Sequence, residues 1–395
     1  MSKFLAVISS FLIMLCLGGV YAWSIFVPML KKQLGYSTSQ TQLIVGLTLG
    51  VFAVFMIFAG RLEKKYGPRP VATAGGVFLF LGYFLAYLSQ GDYLLLVTSI
   101  GGLCGIGTGC CYVCCLVVPA KNFPEKKGLV TGISVAGFGA GAILLTYIVK
   151  FLTASNPDIT VLELFKYIGF SYGIIIFLSV FFLNYKVVQA PVATQTIENA
   201  FSFSDPRFLI LFLTMFAGSF AGLLVLGNAK PIALSLGYME ETATLSITLL
   251  AIGNMSGRVL WGYVMDKIGV DKSQLIAYVI LLTATVLVSF IAPSEILLYI
   301  VLIMVGIGFS SNLVLFAGKT AQLYGVDKIG LIYPYVFLSY GIAGVAGPII
   351  GGWLFDINKS YNQALMISGA LTFIGLLIYQ LSLKKINKPA NQNPS

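Results

Sequence analysis

The chain has 395 residues, of which 58% are hydrophobic and only 10% are charged, with a net charge of +10. A soluble domain carries about 25% charged residues, so this composition excludes a soluble protein. Apolar runs of about 20 residues recur along the chain, each long enough to cross about 30 Å of hydrocarbon as a helix. Lys and Arg cluster in alternate loops, which the positive-inside rule explains without a nucleic-acid partner. We therefore predict an all-α integral membrane protein.

The apolar runs predict twelve transmembrane helices separated by mostly short polar loops. The amino terminus is similar to a secretory signal peptide, but its apolar core continues to Pro28 and is better interpreted as the first helix. The predicted helices cover 4–28, 42–61, 70–89, 93–118, 129–151, 163–184, 208–232, 243–265, 274–291, 297–322, 331–355 and 362–382.

The loops also predict the domain organisation and the topology. The one long polar connection begins near Asn184 and ends near Arg207. Basic loops and an even number of helices place this connection and both termini in the cytoplasm. We expect a six-helix bundle at 1–184, a linker at 185–207, a second bundle at 208–383 and a cytoplasmic tail at 384–395.

The cysteines do not predict a metal site. The chain has no histidine, the commonest metal ligand. Chelation requires thiolates, and no cation flanks the cysteine run to favour that form. We interpret Cys110, Cys111, Cys114 and Cys115 as small packing residues and expect no metal and no other cofactor.

Arg258 is the most informative residue, because it places a charge inside the eighth predicted helix. It lies about sixteen residues past Glu241, or roughly 24 Å along a helix, which is membrane depth. An arginine there costs at least about 2.5 kcal/mol on insertion scales and usually faces a watery cavity. Asn254 lies one turn earlier on the same face, and this pair is suited to a carboxylate. The alternative is an arginine that snorkels or caps helix carbonyls.

Aromatic residues in other helices offer candidates that each have a structural alternative. Tyr112 lies about eighteen residues into helix 4, and its hydroxyl needs a partner if it is buried. It either contacts a ligand or packs between helices, and the same two interpretations apply to Tyr333, Tyr335 and Tyr340 in helix 11. Tyr21 and its neighbour Trp23 form either an outer gate or an interfacial anchor.

Two polar candidates remain. Asn312 belongs to a polar run in the middle of helix 10 and is expected to line a cavity. Lys230 precedes a proline near the outer end of helix 7, where it either attracts anions or snorkels to the surface. Lys121 and Lys319 lie near the inner ends of helices 4 and 10 and are interpreted as structural.

An internal repeat decides the architecture. The spacing Gly60-x-x-x-x-Lys65-x-Gly67 recurs 202 residues later as Gly262-x-x-x-x-Lys267-x-Gly269. Gly105-Ile106-Gly107 recurs 201 residues later, and Gly128 recurs as Gly330, again 202 residues later. A common offset indicates two six-helix halves related by an axis along the membrane normal, with a site between them.

At these residues the chain resembles the major facilitator superfamily. The stretch from Gly60 to Arg69 resembles its loop signature between helices 2 and 3, with Glu63-Lys64 where Asp-Arg is usual, and Gly262 to Gly269 resembles the second copy. The resemblance implies the major facilitator fold and a gating or conformational role for Gly60, Arg61, Lys65, Gly67, Arg69, Gly262, Asp266, Lys267 and Gly269.

More narrowly, the chain resembles the oxalate/formate antiporter family and the related monocarboxylate transporters. The similarity is carried by 21–26, 105–141, 228–233 and 254–269. It implies that Arg258 contacts the substrate carboxylate, and that Asn254 and Tyr112 occupy positions used around it by lactate-transporting members. Oxalate-transporting members place a lysine in helix 11 where this chain has Tyr340.

These observations predict a secondary transporter of small monocarboxylates such as lactate, pyruvate, acetate or formate. We expect alternating access coupled to protons or to exchange of a second anion. The alternatives are a dicarboxylate antiporter of the oxalate/formate type and a membrane sensor without transport. We also expect a monomer in the cell (plasma) membrane that contacts lipid and its anionic substrate and has no enzymatic activity.

Overall fold

The computed structural model describes residues 2–123, 127–184, 202–290, 294–325 and 329–386. Within these ranges, twelve helical segments are long and apolar enough to cross a membrane, as predicted. In chain order the helices are α1 (Ser2–Leu17), α2 (Val27–Leu34), α3 (Thr38–Tyr66), α4 (Pro68–Leu88), α5 (Tyr93–Leu96), α6 (Gly105–Asn122), α7 (Lys127–Ser155), α8 (Val161–Val180), α9 (Pro206–Ser235), α10 (Glu240–Ile268), α11 (Val270–Phe290), α12 (Glu295–Tyr324), α13 (Ile329–Asn358) and α14 (Asn362–Ile386).

The first span is not the continuous helix predicted over 4–28. After α1 the chain winds more tightly as a 3₁₀ helix over Gly18–Ile25, and α2 then continues to Leu34. A Cβ at Gly18 would collide with the Phe138 carbonyl of α7, so glycine permits this close approach. Pro28 lies in the first turn of α2, where a missing backbone N–H costs nothing. The fourth span is also interrupted, by a π-helical segment at Val97–Cys104.

The helices extend further than the hydrophobic runs that predict them. Helix α3 begins at Thr38 and ends at Tyr66, against a prediction of 42–61. Its start is fixed by a capping box, in which the Ser37 hydroxyl accepts from the Gln40 N–H at 3.1 Å and the Gln40 side chain accepts from the Ser37 N–H at 2.8 Å. Polar helix ends therefore continue beyond the apolar stretch.

The internal repeat is visible in the backbone. Gly67 follows α3 with φ 82°, and Gly269 follows α10 with φ 83°. This left-handed region favours glycine because an added Cβ would be strained there. The two turns lie at equivalent positions of the first bundle, α1–α8, and of the second bundle, α9–α14.

Glycines let the two bundles approach each other along two helix pairs. Helix α3 packs on α13, where Gly46 meets the backbone of Val345 and Gly341 meets Ala53. Helix α7 packs on α10, where Gly139 meets the Met255 backbone. Small residues of this kind allow close helix contact inside a membrane. The two pairs frame the space between the bundles, in which Arg258 lies.

The cysteine run faces α4 inside the first bundle. Cys110, Cys111, Cys114 and Cys115 are all buried and free. The Cys111 thiol donates to the Ala72 carbonyl at 3.3 Å, and a Cβ at Gly75 would meet the Cys111 sulfur. These contacts are those of packing residues. Most of the predicted linker, residues 185–201, and the tail from 387 lie outside the described residues.

Candidate functional site

Arg258 lies in α10 with its guanidinium directed at the first bundle. The residue is only 5% exposed. Its Nη1 donates to the Val135 carbonyl of α7 at 2.9 Å, and its Nε donates to the Asn254 Oδ1 at 3.3 Å. The sequence spacing placed Asn254 and Arg258 on one face, and the structure confirms this. Arg258 therefore joins the two bundles at their interface.

Two hydrogen-bond donors at this position make no hydrogen bond of standard geometry within the described part of the chain. The Nη2 of Arg258 and the Nδ2 of Asn254 are buried, and neither has a partner among the described residues. Leaving a buried donor unpaired costs about 1–3 kcal/mol, and more when the group is charged. Native structures rarely retain such groups without a structural or functional reason. The arrangement calls for an acceptor, preferably an anionic one.

Arg258 also differs from the other buried charges. Among the described residues the buried charged side chains are Glu63, Lys230, Arg258 and Lys319. Lys319 pairs with Asp271 at 2.7 Å and Glu63 pairs with Lys121 at 3.7 Å.

Lys230 forms an ion pair with Glu240, so in this structure it is not an available cation for an anion. The predicted role of Lys230 in the substrate site is not supported by these contacts. Arg258 is thus the one buried charge in the described part of the chain without an ion-pair partner.

Aromatic side chains surround the guanidinium. The Phe138 ring lies 5.7 Å from Arg258 Cζ, a cation–π distance. The same ring meets Tyr21 edge-on at 5.0 Å and Tyr112 at 5.5 Å. Phe52 then contacts both Tyr112 and Phe138. Tyr112 is therefore brought to the site, as predicted, although its described contacts are aromatic packing.

A pair of tyrosines closes one side of this aromatic shell. The Tyr21 and Tyr340 hydroxyls lie 2.6 Å apart and share a hydrogen bond between the bundles. Tyr340 is fully buried, and its ring stacks on Phe337 at 4.6 Å. Both hydroxyls are close enough to Arg258 to interact electrostatically with it. The structure thus brings Tyr21 and Tyr340 to the guanidinium.

Two other predicted residues lie elsewhere. The Tyr335 hydroxyl accepts from Arg61 at 3.2 Å, and its ring meets Phe203 at 5.4 Å, at the end of the bundles where α3 finishes. Asn312 faces Gly218 of α9 inside the second bundle, where its Nδ2 donates to the Phe309 carbonyl at 3.2 Å. The helices that carry them, α13 and α12, lie beside the site. The side chains of Tyr335 and Asn312 point away from it, because they lie on other faces of those helices.

The residues of the two loop signatures lie at that same end. Arg61 contacts Tyr335, and Arg69 donates to the Phe181 carbonyl beyond α8 at 2.6 Å. Lys267 lies 5.6 Å from the Tyr263 ring. Lys65, Asp266 and Lys267 are exposed, whereas Gly60, Gly67 and Gly262 are partly buried. Their predicted gating role remains a proposal.

Sequence reasoning missed Phe138 and the Val135 carbonyl, and it left Tyr333 undecided between ligand contact and helix packing. A phenylalanine in an apolar helix carries no polar signal, and a backbone carbonyl carries no sequence signal at all. Tyr333, whose hydroxyl donates to the Leu313 carbonyl at 3.2 Å, interacts electrostatically with Arg258. It was distinguishable from Tyr335 only by the helix face on which it lies.

The arrangement of a cation between two six-helix bundles agrees with comparison to known proteins. A model of the Major Facilitator Superfamily matches residues 7–335 and 207–395. The chain belongs to the major facilitator superfamily. Members of this superfamily are transporters and not enzymes, so this chain is a transporter. Its transmembrane helices make it a multi-pass membrane protein.

Comparison with curated proteins shows which transporters within the superfamily this chain is similar to. The chain is 27% identical to an uncharacterized MFS-type transporter of Escherichia coli over 87% of this chain and 86% of the relative. It is 24% identical to the oxalate:formate antiporter of Oxalobacter formigenes over 96% and 91%. It is also 24% identical to human monocarboxylate transporter 11 over 89% and 76%. The predicted kinship with these two families is confirmed.

A solved structure confirms the fold. A D-xylose-proton symporter matches with a TM-score of 0.75, covering 95% of this chain and 97% of that protein. The two sequences are only 17% identical, so the match speaks to architecture alone. The predicted fold class, twelve transmembrane helices in two six-helix bundles, is therefore correct.

Proposed function

We propose that this transporter carries small monocarboxylates by alternating access, and that Arg258 binds the carboxylate. The observation that carries the proposal is the pair of buried, unpaired donors, Arg258 Nη2 and Asn254 Nδ2. A carboxylate offers two acceptor oxygens to such a pair, and charge-assisted hydrogen bonds are roughly twice as strong as neutral ones. An anion would satisfy both donors at once.

The charge of the site supports one carboxylate and opposes two. Arg258 supplies about one positive charge, and Lys230 is engaged by Glu240. A monocarboxylate neutralises the guanidinium. A dicarboxylate would leave a negative charge in this buried site, and desolvating an unpaired ion costs several kcal/mol. The position of Tyr340, where a second cation would be needed, holds a neutral hydroxyl.

The contacts of Arg258 also suggest how binding couples to movement. Its guanidinium is tied to the first bundle through the Val135 carbonyl and the Phe138 ring. A substrate carboxylate on Nη2 would share the guanidinium charge with the Val135 carbonyl on Nη1. A shift of the guanidinium toward the carboxylate would loosen the bond to Val135 between the bundles, as rocking about a midplane site requires.

Uptake by purified protein in proteoliposomes tests this function. Radiolabelled lactate, pyruvate, acetate and formate are offered to wild type, Arg258→Gln and Arg258→Lys. Both variants should lose uptake, because lysine is a point charge that cannot reproduce the planar fork of arginine. Arg207→Gln is the matched control, since Arg207 belongs to the same bundle and pairs with Asp205 at 2.9 Å. Uptake that survives in Arg258→Gln would contradict the assignment.

Coupling is tested in the same vesicles. We propose that transport is coupled either to protons or to exchange of a second anion. An inward pH gradient should accelerate uptake in the first case, and an anion trapped inside the vesicle should do so in the second. Uptake unaffected by either condition would contradict both couplings.

A second candidate is exchange of oxalate for formate. The relative from Oxalobacter formigenes, which is aligned over nearly the whole chain, favours it. Vesicles preloaded with formate should then accumulate oxalate, whereas a monocarboxylate carrier should exchange only monocarboxylates. The membrane-sensor alternative predicts ligand binding without uptake in either experiment.

We further propose that the protein lies in the plasma membrane as a monomer with both termini in the cytoplasm. The basic loops of the sequence support this orientation. Single cysteines placed in the 185–201 segment of a cysteine-free variant should resist impermeant thiol reagents in right-side-out vesicles. Rapid labelling at those positions would reverse the proposed topology.

A further inference from the structure

A carboxylate from one bundle caps a helix of the other at the end where α3 begins. Asp356, in the last turn of α13, accepts two backbone hydrogen bonds from the first turn of α3. The Thr38 N–H donates to Oδ1 at 3.1 Å, and the Ser39 N–H donates to Oδ2 at 2.9 Å. We call this end, which the topology prediction places outside the cell, the outer end.

This capping is additional to the cap that α3 already has. The backbone N–H that donates to the Ser37 hydroxyl is that of Gln40, so the N–H groups of Thr38 and Ser39 would otherwise lack an acceptor within α3. The first N–H groups of a helix have no intrahelical partner. A negative charge at this position also interacts favourably with the helix dipole. The acceptor is supplied across the bundle interface.

Lys31 and a close approach of the two backbones add to the contact between α3 and α13 at the outer end. Lys31 donates to the Thr38 hydroxyl at 2.8 Å and lies 5.0 Å from the Phe355 ring. Burial lowers the pKa of Lys31, and the nearby Asp356 carboxylate opposes that effect. A Cβ at Gly352 would meet the Thr38 backbone at 3.0 Å, so α13 and α3 touch here without intervening side chains.

A second hydrogen bond lies one turn further in. The Gln42 Nε2 donates to the Gly227 carbonyl of α9 at 2.9 Å. At the opposite end of the bundles, the described residues provide one side-chain hydrogen bond between bundles, from Arg61 to Tyr335. Within the described ranges, the side-chain hydrogen bonds between bundles at the outer end therefore outnumber those at the opposite end.

We propose that Asp356 and the first turn of α3 form a latch that holds the outer end of the carrier closed. The latch breaks when the bundles rock apart at this end, which leaves the Thr38 and Ser39 N–H groups to water. Its strength sets how often the empty carrier opens outward. The inference rests on the rocking motion proposed above but not on the identity of the substrate.

Spin labels on the full-length protein test the latch. Cysteines replace Lys32 in the first bundle and Asn362 in the second, both exposed near the outer end, and the six native cysteines are buried. Pulsed electron spin resonance in lipid nanodiscs gives the distance distribution. Asp356→Ala should raise the ratio of long to short distances at least roughly tenfold, because both charge-assisted hydrogen bonds of the carboxylate are lost. Asp356→Asn should shift the ratio in the same direction by less.

Asp92→Ala is the matched control. Asp92 caps α5 at the same end, accepting from the Leu95 N–H at 2.8 Å, but within one bundle. It should leave the distance ratio unchanged. An unaltered distribution in both Asp356 variants, or an equal shift in Asp92→Ala, would overturn the latch. These variants all retain Arg258, so failure of the latch proposal would not contradict carboxylate binding by Arg258, which the uptake experiment tests separately.

Discussion

Substitutions of Asn254 separate a binding role from a structural one, because the first predicts a loss of substrate affinity and the second a loss of stability. Asn254 is fully buried, its Oδ1 accepts from Arg258 Nε at 3.3 Å, and its Nδ2 has no described partner. Truncation to alanine removes one hydrogen bond to a charged group, worth about 1.5–3 kcal/mol, and also removes an unsatisfied donor that costs about 1–3 kcal/mol. These two terms offset each other, but the truncation also leaves Arg258 Nε without its acceptor, so the empty protein should lose only a modest part of its stability.

Substrate binding should respond quite differently. The bound carboxylate loses the Nδ2 donor, and a loss of about 1.5–3 kcal/mol corresponds to roughly tenfold to a hundredfold weaker affinity. Asn254→Asp provides the opposite case. Its carboxylate pairs with Arg258 in place of substrate, so it should raise the melting temperature of the empty protein and abolish binding.

Thermal unfolding in detergent and isothermal titration with a monocarboxylate measure the two quantities. Asn228→Ala serves as the control, because Asn228 is equally buried and bonds Tyr361 at 3.0 Å in the second bundle. It should lose stability and retain affinity. Asn254→Ala with reduced stability but wild-type affinity would refute the reasoning.

Three further predictions follow from individual contacts. Tyr112→Phe should weaken carboxylate binding roughly tenfold in titration, and unchanged affinity would remove Tyr112 from the site. The control is Tyr278→Phe, which loses a hydrogen bond of 2.6 Å to the Thr214 carbonyl and should lower only the melting temperature. Replacing Cys110, Cys111, Cys114 and Cys115 with alanine should keep the uptake rate within about a few-fold of wild type, because truncation of core side chains mainly lowers stability. Stoichiometric metal bound to the wild-type protein would contradict the packing role. Asp205 should stabilise the fold at neutral pH. Burial raises its pKa, but the Arg207 and Tyr324 hydrogen bonds outweigh that effect and lower it overall, so this stabilisation is lost as pH falls through the lowered pKa. Asp205→Ala should therefore unfold about 1 kcal/mol more easily at pH 7, and an equal deficit at pH 7 and well below the lowered pKa would refute the charge argument.

The sequence predicted the fold because membrane insertion leaves few choices. Each apolar run must form a helix that satisfies its own backbone, so the number of spans could be read directly. The break at Gly18 could not be read, because it depends on how closely α7 approaches. Helix bounds were also too short, since capping by Ser37 extends α3 into the polar region.

Charge and helical spacing predicted the part of the site that consists of polar residues on one helix. Arg258 and Asn254 stand out because each is costly in an apolar helix. Lys230 was harder to assign, because its partner Glu240 lies in a separate helix and only the fold brings them together. Tyr335 and Tyr340 are five residues apart in one helix, which places them roughly 140° apart around its axis. Only Tyr340 of the two faces Arg258, and which face of the helix meets the site depends on how the helix packs against its neighbours.

The charge that the site accepts is the central claim, and a comparison of matched ligands tests it most directly. Titration of the purified protein with acetate and pyruvate against malonate and oxalate measures the affinity for one and two carboxylates. The single unpaired charge of Arg258 predicts that the monocarboxylates bind at least about a hundredfold more tightly, since an unpaired buried ion costs several kcal/mol, and that Arg258→Gln binds none of the four. Tight oxalate binding that disappears in Lys230→Gln would contradict the account, because Lys230 would then have left Glu240 to supply a second cation.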